Sequence, residues 1–314
     1  MRHLTDGNAT DAQIGGVLLG FRVKGCTTQE LAGFASVLRE RAATLSHPYT
    51  NLVDTCGTGG GIPSFNISTA AAIVAAAAGV RIAKHGNRGV TSSCGSADVL
   101  EALGISVGGD PERLMHQLDT AGIVFLFAQK HHPVMAHFGR ARKELGVRTV
   151  FNQLGPLANP AGATRQLIGV YDAGLMRSMG EALRELGTER ALIVHGDDGL
   201  DEISPVSSTE YVKVDAGKVT SGRWSPADFG LKPVSPEHLL PGNSAEENAL
   251  ILREAVSDIS SPRAGVVLPS AGAAIWLGGL EPDLPAASKR AKEAIASGAA
   301  ARKLEELIQA EIAA

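Results

Sequence analysis

The chain of 314 residues holds only three cysteines, Cys26, Cys56 and Cys94. An odd, scattered set gives neither a disulfide framework nor the paired spacing of a zinc site. Cys56 and Cys94 stand in no catalytic-cysteine context and read as small packing residues. Long apolar runs are missing too. None reaches the roughly 18 residues that a membrane-spanning helix needs, and the start MRHLTDGNAT has no apolar signal core. No membrane partner and a cytoplasmic location are expected. There is no basic excess: the net charge is −4. That speaks against a nucleic-acid partner, which favours a basic surface. Aromatics make up only 4% of the residues.

What remains is an ordinary globular composition, 44% hydrophobic and 20% charged, with 37 glycines. Such richness in small residues is common in α/β enzymes. The length suits one large domain and a smaller one. Ile14, Val17, Leu18 and Phe21 recur at helical spacing up to Gly25, and Thr27 with Glu30 forms a capping box for the next helix. This helical unit is expected to span residues 1–47. The large unit is expected over 51–314. Its strands are placed at 52–56, 80–83, 123–127, 166–171, 190–195 and 264–268, with a hairpin at 211–220. Helices are expected between them, one of them over 132–145. Alternating strands and helices predict a mostly parallel central sheet flanked by helices.

The most informative stretch runs from 54 to 98. Gly57, Gly59, Gly60 and Gly61 follow the first strand of the large unit. A loop so poor in side chains lets backbone N–H groups approach a ligand. Asn66, Ser68 and Thr69 open the following helix, where free N–H groups and the dipole favour an anion. Lys84, His85, Asn87 and Arg88 follow the next strand as donors. The pattern is neither a P-loop nor a dinucleotide fingerprint. A tight turn is the alternative for the glycines alone. Two donor-rich loops around one helix point to a phosphate or diphosphate.

Four carboxylates, Asp197, Asp198, Asp201 and Glu202, crowd six residues after another strand. They read either as a solvated acidic turn or as hard oxygen ligands of the kind Mg²⁺ takes. His132 and Arg142 lie in an expected helix. By themselves they read as a cap and a solvated charge. A guanidinium is also suited to a planar carboxylate.

The motifs GTGG, NIST, KHGNR, GSAD, HHPVM, RKELGVRTVFNQLGPLANPA and VHGDDGLDEIS, in this order, resemble those of the anthranilate phosphoribosyltransferase family. The likeness covers nearly the whole chain. It implies transfer of a phosphoribosyl group from 5-phosphoribosyl 1-diphosphate to the amine of anthranilate, a step of tryptophan biosynthesis. It implies that the sugar diphosphate is held by Gly57, Gly60, Gly61 and Ser64 of the loop and by Asn66, Ile67, Ser68 and Thr69 of the helix start. Lys84, Thr91, Ser92 and Ser96 complete that set. Asn87 and Arg142, with Gly57, would hold anthranilate, and His85 and His132 would line its path. The metal would be Mg²⁺, held by Asp201 and Glu202, with the Ser68 hydroxyl as a ligand to the other, diphosphate-bound metal. Arg148 and Asn152 are taken as structural. Residues 130–150 would pack back on the helical unit, which would form a homodimer contact.

Two departures stand out. The family's loop usually reads Gly-Thr-Gly-Gly-Asp, whereas this chain has Gly61 and a loop one residue shorter. Relatives also usually carry another helix before the equivalent of Thr10, so a weaker dimer is expected. A pyrimidine nucleoside phosphorylase shares the KHG stretch and is one alternative. A non-catalytic nucleic-acid-binding relative is another; it would be expected to lose the acidic pair and gain basic surface.

Overall fold

The computed structural model describes residues 1–89 and 94–312. It begins with three helices, α1 (Arg2–Thr5), α2 (Asp11–Lys24) and α3 (Thr28–Glu40). Thr10 with Gln13 and Thr27 with Glu30 close capping boxes at the starts of α2 and α3. Each box satisfies two N–H groups that a helix start leaves free. Gly25 ends α2 at φ 81°, a backbone that an L side chain resists.

The large unit follows as β1 (Val53–Gly57), α4 (Ile67–Ala77), β2 (Ile82–Gly86), α5 (Ser96–Ala102), α6 (Pro111–Thr120) and β3 (Ile123–Phe127). Short pieces α7 (Ala128–His131), α8 (Gly139–Leu145) and α9 (Phe151–Leu154) lead to β4 (Arg165–Gly169). Then come α10 (Met176–Glu185), β5 (Arg190–Gly196), β6 (Thr209–Asp215) and β7 (Lys218–Trp224). Four helices close the chain: α11 (Ala245–Ser257), α12 (Pro262–Leu277), α13 (Leu284–Ala296) and α14 (Ala299–Ile312). Among the described residues no helix is long and apolar enough to cross a membrane.

One seven-stranded sheet runs in the order β3-β2-β1-β4-β5-β6-β7. The first five strands are parallel, and β6 and β7 are an antiparallel hairpin at the edge. Ala216 (φ 48°) and Gly217 (φ 76°) make its two-residue turn, the left-handed pair that matches strand twist. Strand order reverses between β1 and β4. Their carboxyl ends therefore open a crevice, the usual ligand position in such sheets.

Helices α4 and α12 pack on one face of the sheet and α10 on the other, with α3 against α10. The N-terminal helices share a core with that second face: Ile14, Leu18, Leu31 and Leu38 join Phe138, Ile168 and Ile193. Each such fully buried aliphatic or aromatic side chain contributes roughly 1.5–3 kcal/mol. Helix α8 lies against α2.

Three expected elements differ. Residues 264–268 are not a strand but part of α12. This helix is buried on nearly every side and contains Pro269. A five-residue apolar run cannot separate a buried strand from a buried helix, and the proline splits the pattern. Residues 132–145 are not one helix. His132 has φ −122° and ψ 65°, because Pro133 pushes its neighbour out of helical geometry. A 3-10 segment over Pro133–Phe138 then precedes α8. His132 and Arg142 thus lie on different elements. Finally, β2 lies further along than 80–83, so Lys84 and His85 are strand residues rather than loop donors.

Candidate active site

The glycine loop begins where the two central strands end. Gly57 and Gly169 are partners in the β1–β4 ladder. A Cβ on Gly57 would lie 3.0 Å from the Gly169 carbonyl oxygen. Thr58 N–H donates to that same oxygen at 2.9 Å, and the Thr58 hydroxyl accepts from Tyr171 N–H at 3.1 Å. Gly60, at φ 92°, gives its carbonyl to Arg148 Nη2 at 2.9 Å. The guanidinium sits so close that a Cβ on Gly60 would collide with it. Arg148 also lies over the Tyr171 ring, and its own carbonyl accepts from Arg22 of α2 at 2.6 Å. The loop shape is thus held by a side chain expected to be merely structural.

Beyond the loop, α4 presents its N-terminus to the crevice. Its first turn contains no acidic residue, and Asn66 at the cap spends its Nδ2 on the Cys94 carbonyl (3.2 Å). The Thr69 Oγ1 is buried with no hydrogen-bond partner among the described residues. The Ser68 N–H, with no acceptor among the described residues, and the positive dipole end leave this turn suited to an anion.

Strand alternation then divides Lys84 from His85, since neighbouring side chains point to opposite faces. Lys84 turns toward α4. Its Nζ donates to the Thr55 carbonyl and, at 3.2 Å, to the Ser68 hydroxyl. Burial lowers its pKa, and Asp54, Cys56 and Glu202 oppose that shift. Asp54 is wholly buried on β1. It accepts from His85 N–H (3.0 Å) and Asn159 Nδ2 (2.8 Å). Burial raises its pKa against those donors and against Lys84.

The acidic turn after β5 closes the other wall. Asp197 pairs with Arg223 on β7, and Asp198 accepts from Ser204 Oγ at 2.6 Å, so these two hold the turn itself. Asp201 and Glu202 face the crevice. Each keeps some open surface there but is enclosed by protein elsewhere. Burial raises the pKa of Asp201, while N–H groups including that of Gly61 hold it down. Burial and the neighbouring Asp201 raise Glu202 to about 7, against Lys84 and the hydroxyls of Ser270 (3.3 Å) and Ser68. Asp201 and Glu202 side by side, with the Ser68 hydroxyl at Glu202, form an incomplete hard-oxygen site. Among the described residues no three His, Cys, Asp or Glu side chains converge for a metal. The donor set fits Mg²⁺ that takes its remaining ligands from phosphate oxygens.

His85 faces the opposite side. Its Nδ1 bonds the Gly155 carbonyl (3.1 Å), and His132 Nε2 bonds that of Ala158 (2.9 Å). The rings stand 5.1 Å apart. Burial, foremost, lowers His85 to about 3 and His132 to about 4, so both are neutral at pH 7. With the donor nitrogen spent on a carbonyl, His85 Nε2 and His132 Nδ1 are left without a hydrogen-bond partner among the described residues. Arg142 lies over Phe151, with 5.7 Å from guanidinium to ring. It makes no ion pair or hydrogen bond among the described residues, and burial lowers its pKa. A half-buried guanidinium without an anion is an anion site in waiting. Asn87 accepts from Gln129 Nε2 at 3.3 Å. Arg88, expected as a ligand donor, instead pairs with Asp98 and Glu101.

Both loops, the α4 start and the Asp201–Glu202 pair border one cavity of about 600 Å³. It brings together Gly57, Gly60, Gly61, Ser64, Asn66, Ile67, Ser68 and Thr69 with Lys84, His85, Asn87 and Ser96. His132, Arg142, Asp201 and Glu202 complete the wall. Thr91 and Ser92 lie outside the described residues. Arg148, Asn152 and Gln129 also line the cavity. The first two sit in a long motif whose length was the only signal of their position. Nothing local to Gln129 marks it. Ser270 fell between the strand expected over 264–268 and the helix expected from 271, whereas it lies inside α12.

The comparisons match this architecture. Residues 1–42 fit the helical bundle domain of the glycosyl transferase family, and 49–301 fit its a/b domain. The anthranilate phosphoribosyltransferase of Methanocorpusculum labreanum is 50% identical over 311 residues, 98% of this chain and 91% of that protein. The solved structure of the Thermus thermophilus anthranilate phosphoribosyltransferase superposes with a TM-score of 0.92 at 40% identity, covering 99% of this chain and 93% of that one. The Saccharomyces cerevisiae enzyme in complex with PRPP and Mg gives a TM-score of 0.86 at 29% identity, covering 97% and 86%. On both sequence and structure, the chain belongs to the anthranilate phosphoribosyltransferase family.

Proposed function

We propose that this chain transfers the phosphoribosyl group of 5-phosphoribosyl 1-diphosphate to the amine of anthranilate, releasing diphosphate, in tryptophan biosynthesis. One observation carries the reading. A single cavity holds an unpaired guanidinium, Arg142, on one side and a helix N-terminus with Lys84, Ser68, Asp201 and Glu202 on the other. A carboxylate-bearing acceptor suits the first and a diphosphate the second.

In the reaction the amine nitrogen bonds to the anomeric carbon as the bond from that carbon to the diphosphate oxygen breaks. Charge develops on the departing diphosphate and on an oxocarbenium-like sugar. The backbone N–H groups of the glycine loop and of α4 face that departing charge, and Lys84 adds a fixed cation behind Ser68. Arg142 orients the acceptor through its carboxylate, which places the adjacent amine. His85 and His132, both neutral, offer acceptor nitrogens and no positive charge on this side. The aromatic amine is a weak base, so it attacks unprotonated and the proton displaced from nitrogen passes to water. Ser68, Asp201 and Glu202 would hold Mg²⁺, whose chemistry when bound is neutralisation of the diphosphate.

Loss of anthranilate fluorescence on adding phosphoribosyl diphosphate and Mg²⁺ tests the reading. Phosphorolysis of uridine or thymidine with anthranilate untouched would refute it.

We place the boundary between the two units at 47–51 and assign 130–150 to the smaller one, supported by the packing of α8 on α2. A homodimer through that unit is part of the proposal. Its support is the outer face of α2, where Leu19 and Val23 are 41% and 87% exposed.

A further inference from the structure

The acidic turn is seated between two glycines in a way the family likeness does not explain. On one side is Gly169, at the end of β4. A Cβ there would collide with the Asp201 carbonyl oxygen and lie 2.6 Å from the Asp201 carbonyl carbon and 3.3 Å from Glu202 N. On the other side is Gly61, where this chain departs from the usual loop. A Cβ there would lie 2.5 Å from Asp201 Oδ1, 2.6 Å from Asp201 N and 2.8 Å from the Gly199 carbonyl oxygen. The next residue fastens the contact: Ile62 N–H donates to that Gly199 oxygen at 3.0 Å. Neither Gly61 nor Gly169 has a positive φ. Backbone conformation therefore does not require glycine at either position; closeness of approach alone does.

The shortened loop thus meets the acidic turn main chain to main chain at Ile62 and Gly199, and the Gly61 N–H meets the Asp201 carboxylate. Two carboxylates make a weak magnesium site, so their placement counts for more than in a closed site. Groups that orient ligands without touching the metal commonly govern its affinity. We propose that Gly61 and Gly169 are positioning residues that seat the Asp201–Glu202 peptide and so set the carboxylates against the magnesium diphosphate. The inference rests on the reading of Asp201 and Glu202 as the magnesium side of the site. It adds that the missing loop carboxylate at position 61 is what lets the turn close on the loop.

The test uses the full chain and inorganic pyrophosphate as probe. Calorimetry measures its affinity with and without Mg²⁺, and the ratio is the metal-dependent gain. Gly61→Ala is expected to cut that gain about tenfold. Metal-free pyrophosphate affinity should fall by a smaller factor, because the substitution leaves the loop's backbone N–H groups in place. Gly169→Ala should cut the gain further, because its Cβ would meet main chain. If Gly169→Ala does not fold, Gly61→Ala decides alone, and the unsubstituted protein gives a second measurement. On adding magnesium pyrophosphate, the amides of 61–62 and of 199–202 should gain hydrogen-exchange protection together. An unchanged gain in Gly61→Ala would overturn the inference. So would an equal fall with and without metal, which marks general damage to the loop, or protection confined to one of the two segments. A protein with no metal-dependent gain at all would instead overturn the magnesium reading, and this inference with it.

Discussion

The two sides of the cleft are built on opposite plans. On the diphosphate side the charges already answer one another inside the protein: Lys84 stands among Asp54, Glu202 and the Ser68 hydroxyl. Their supports are strand ends and long elements, β1, β2, β4 and α4. On the acceptor side, the Arg142 guanidinium, His85 Nε2 and His132 Nδ1 have no hydrogen-bond or ion-pair partner among the described residues. Their supports include the short pieces α7 and α8 and the 3-10 turn between them. One side is therefore part of the folded core's electrostatics, and the other waits for its ligand. Removing a charge from the first should disturb stability and binding together. Removing one from the second should disturb binding alone.

Lys84→Ala presses that contrast hardest. It removes a buried cation near two enclosed carboxylates and the charged donor to the Thr55 carbonyl and Ser68 hydroxyl, and hydrogen bonds to a charged group are worth about 1.5–3 kcal/mol. Urea unfolding should record that loss alongside failure to bind phosphoribosyl diphosphate. Unfolding like the parent's would erase the distinction between the two sides.

Arg142→Ala is the counterpart. The expected loss is roughly 1.5–3 kcal/mol of acceptor binding, the worth of charge-assisted hydrogen bonds. It should appear as a raised KM for anthranilate, with that for phosphoribosyl diphosphate and the unfolding midpoint nearly unchanged. Arg142→Lys should restore little, since an ammonium lacks the planar fork. Wild-type anthranilate kinetics in Arg142→Ala would end the proposal for this residue.

A smaller, pH-dependent effect sharpens the contrast. Glu202 is raised to about 7, so the fold favours its protonated form. In metal-free protein that contribution is full below the ordinary carboxylate range and is lost as pH rises through about 7. His85 and His132, held low, act in the other direction: their contribution is present above their ordinary value and is lost as pH falls toward 3–4. Comparing Glu202→Gln with the parent at each pH cancels the histidines. The variant should gain stability over the parent between pH 5 and 8. A difference independent of pH would show that the Glu202 carboxyl is not perturbed by its setting.

The smallest change is expected at a distance from both sides. Val23→Glu places a charge on the exposed face of α2 and should weaken self-association while leaving the monomer's unfolding intact. Sedimentation at micromolar concentration measures it, and a dimer of unchanged affinity would move the contact elsewhere.

Much of this plan was legible in the chain. The glycine loop, the Asn66-to-Thr69 helix start and the acidic run are local patterns whose chemistry is written in residue types and spacing. The capping box at Thr27 and the hairpin over 211–220 are likewise local, because their geometry spans a few residues. Residues 264–268 and 132–145 were misread, since burial on all sides and a proline's steric effect on its neighbour override short-range periodicity.

Which side of the cleft each group serves could not be read that way. Lys84 and His85 are adjacent in sequence, yet pleating sends one to α4 and the other to His132. The contacts of Arg148 with Gly60, Ser270 with Glu202, and Gly61 and Gly169 with Asp201 join residues far apart in the chain. The sequence alone determined which chemical groups were available and where the backbone could turn. Only the tertiary structure decided which would meet, because strand order and close packing, not sequence neighbourhood, set the distances between them.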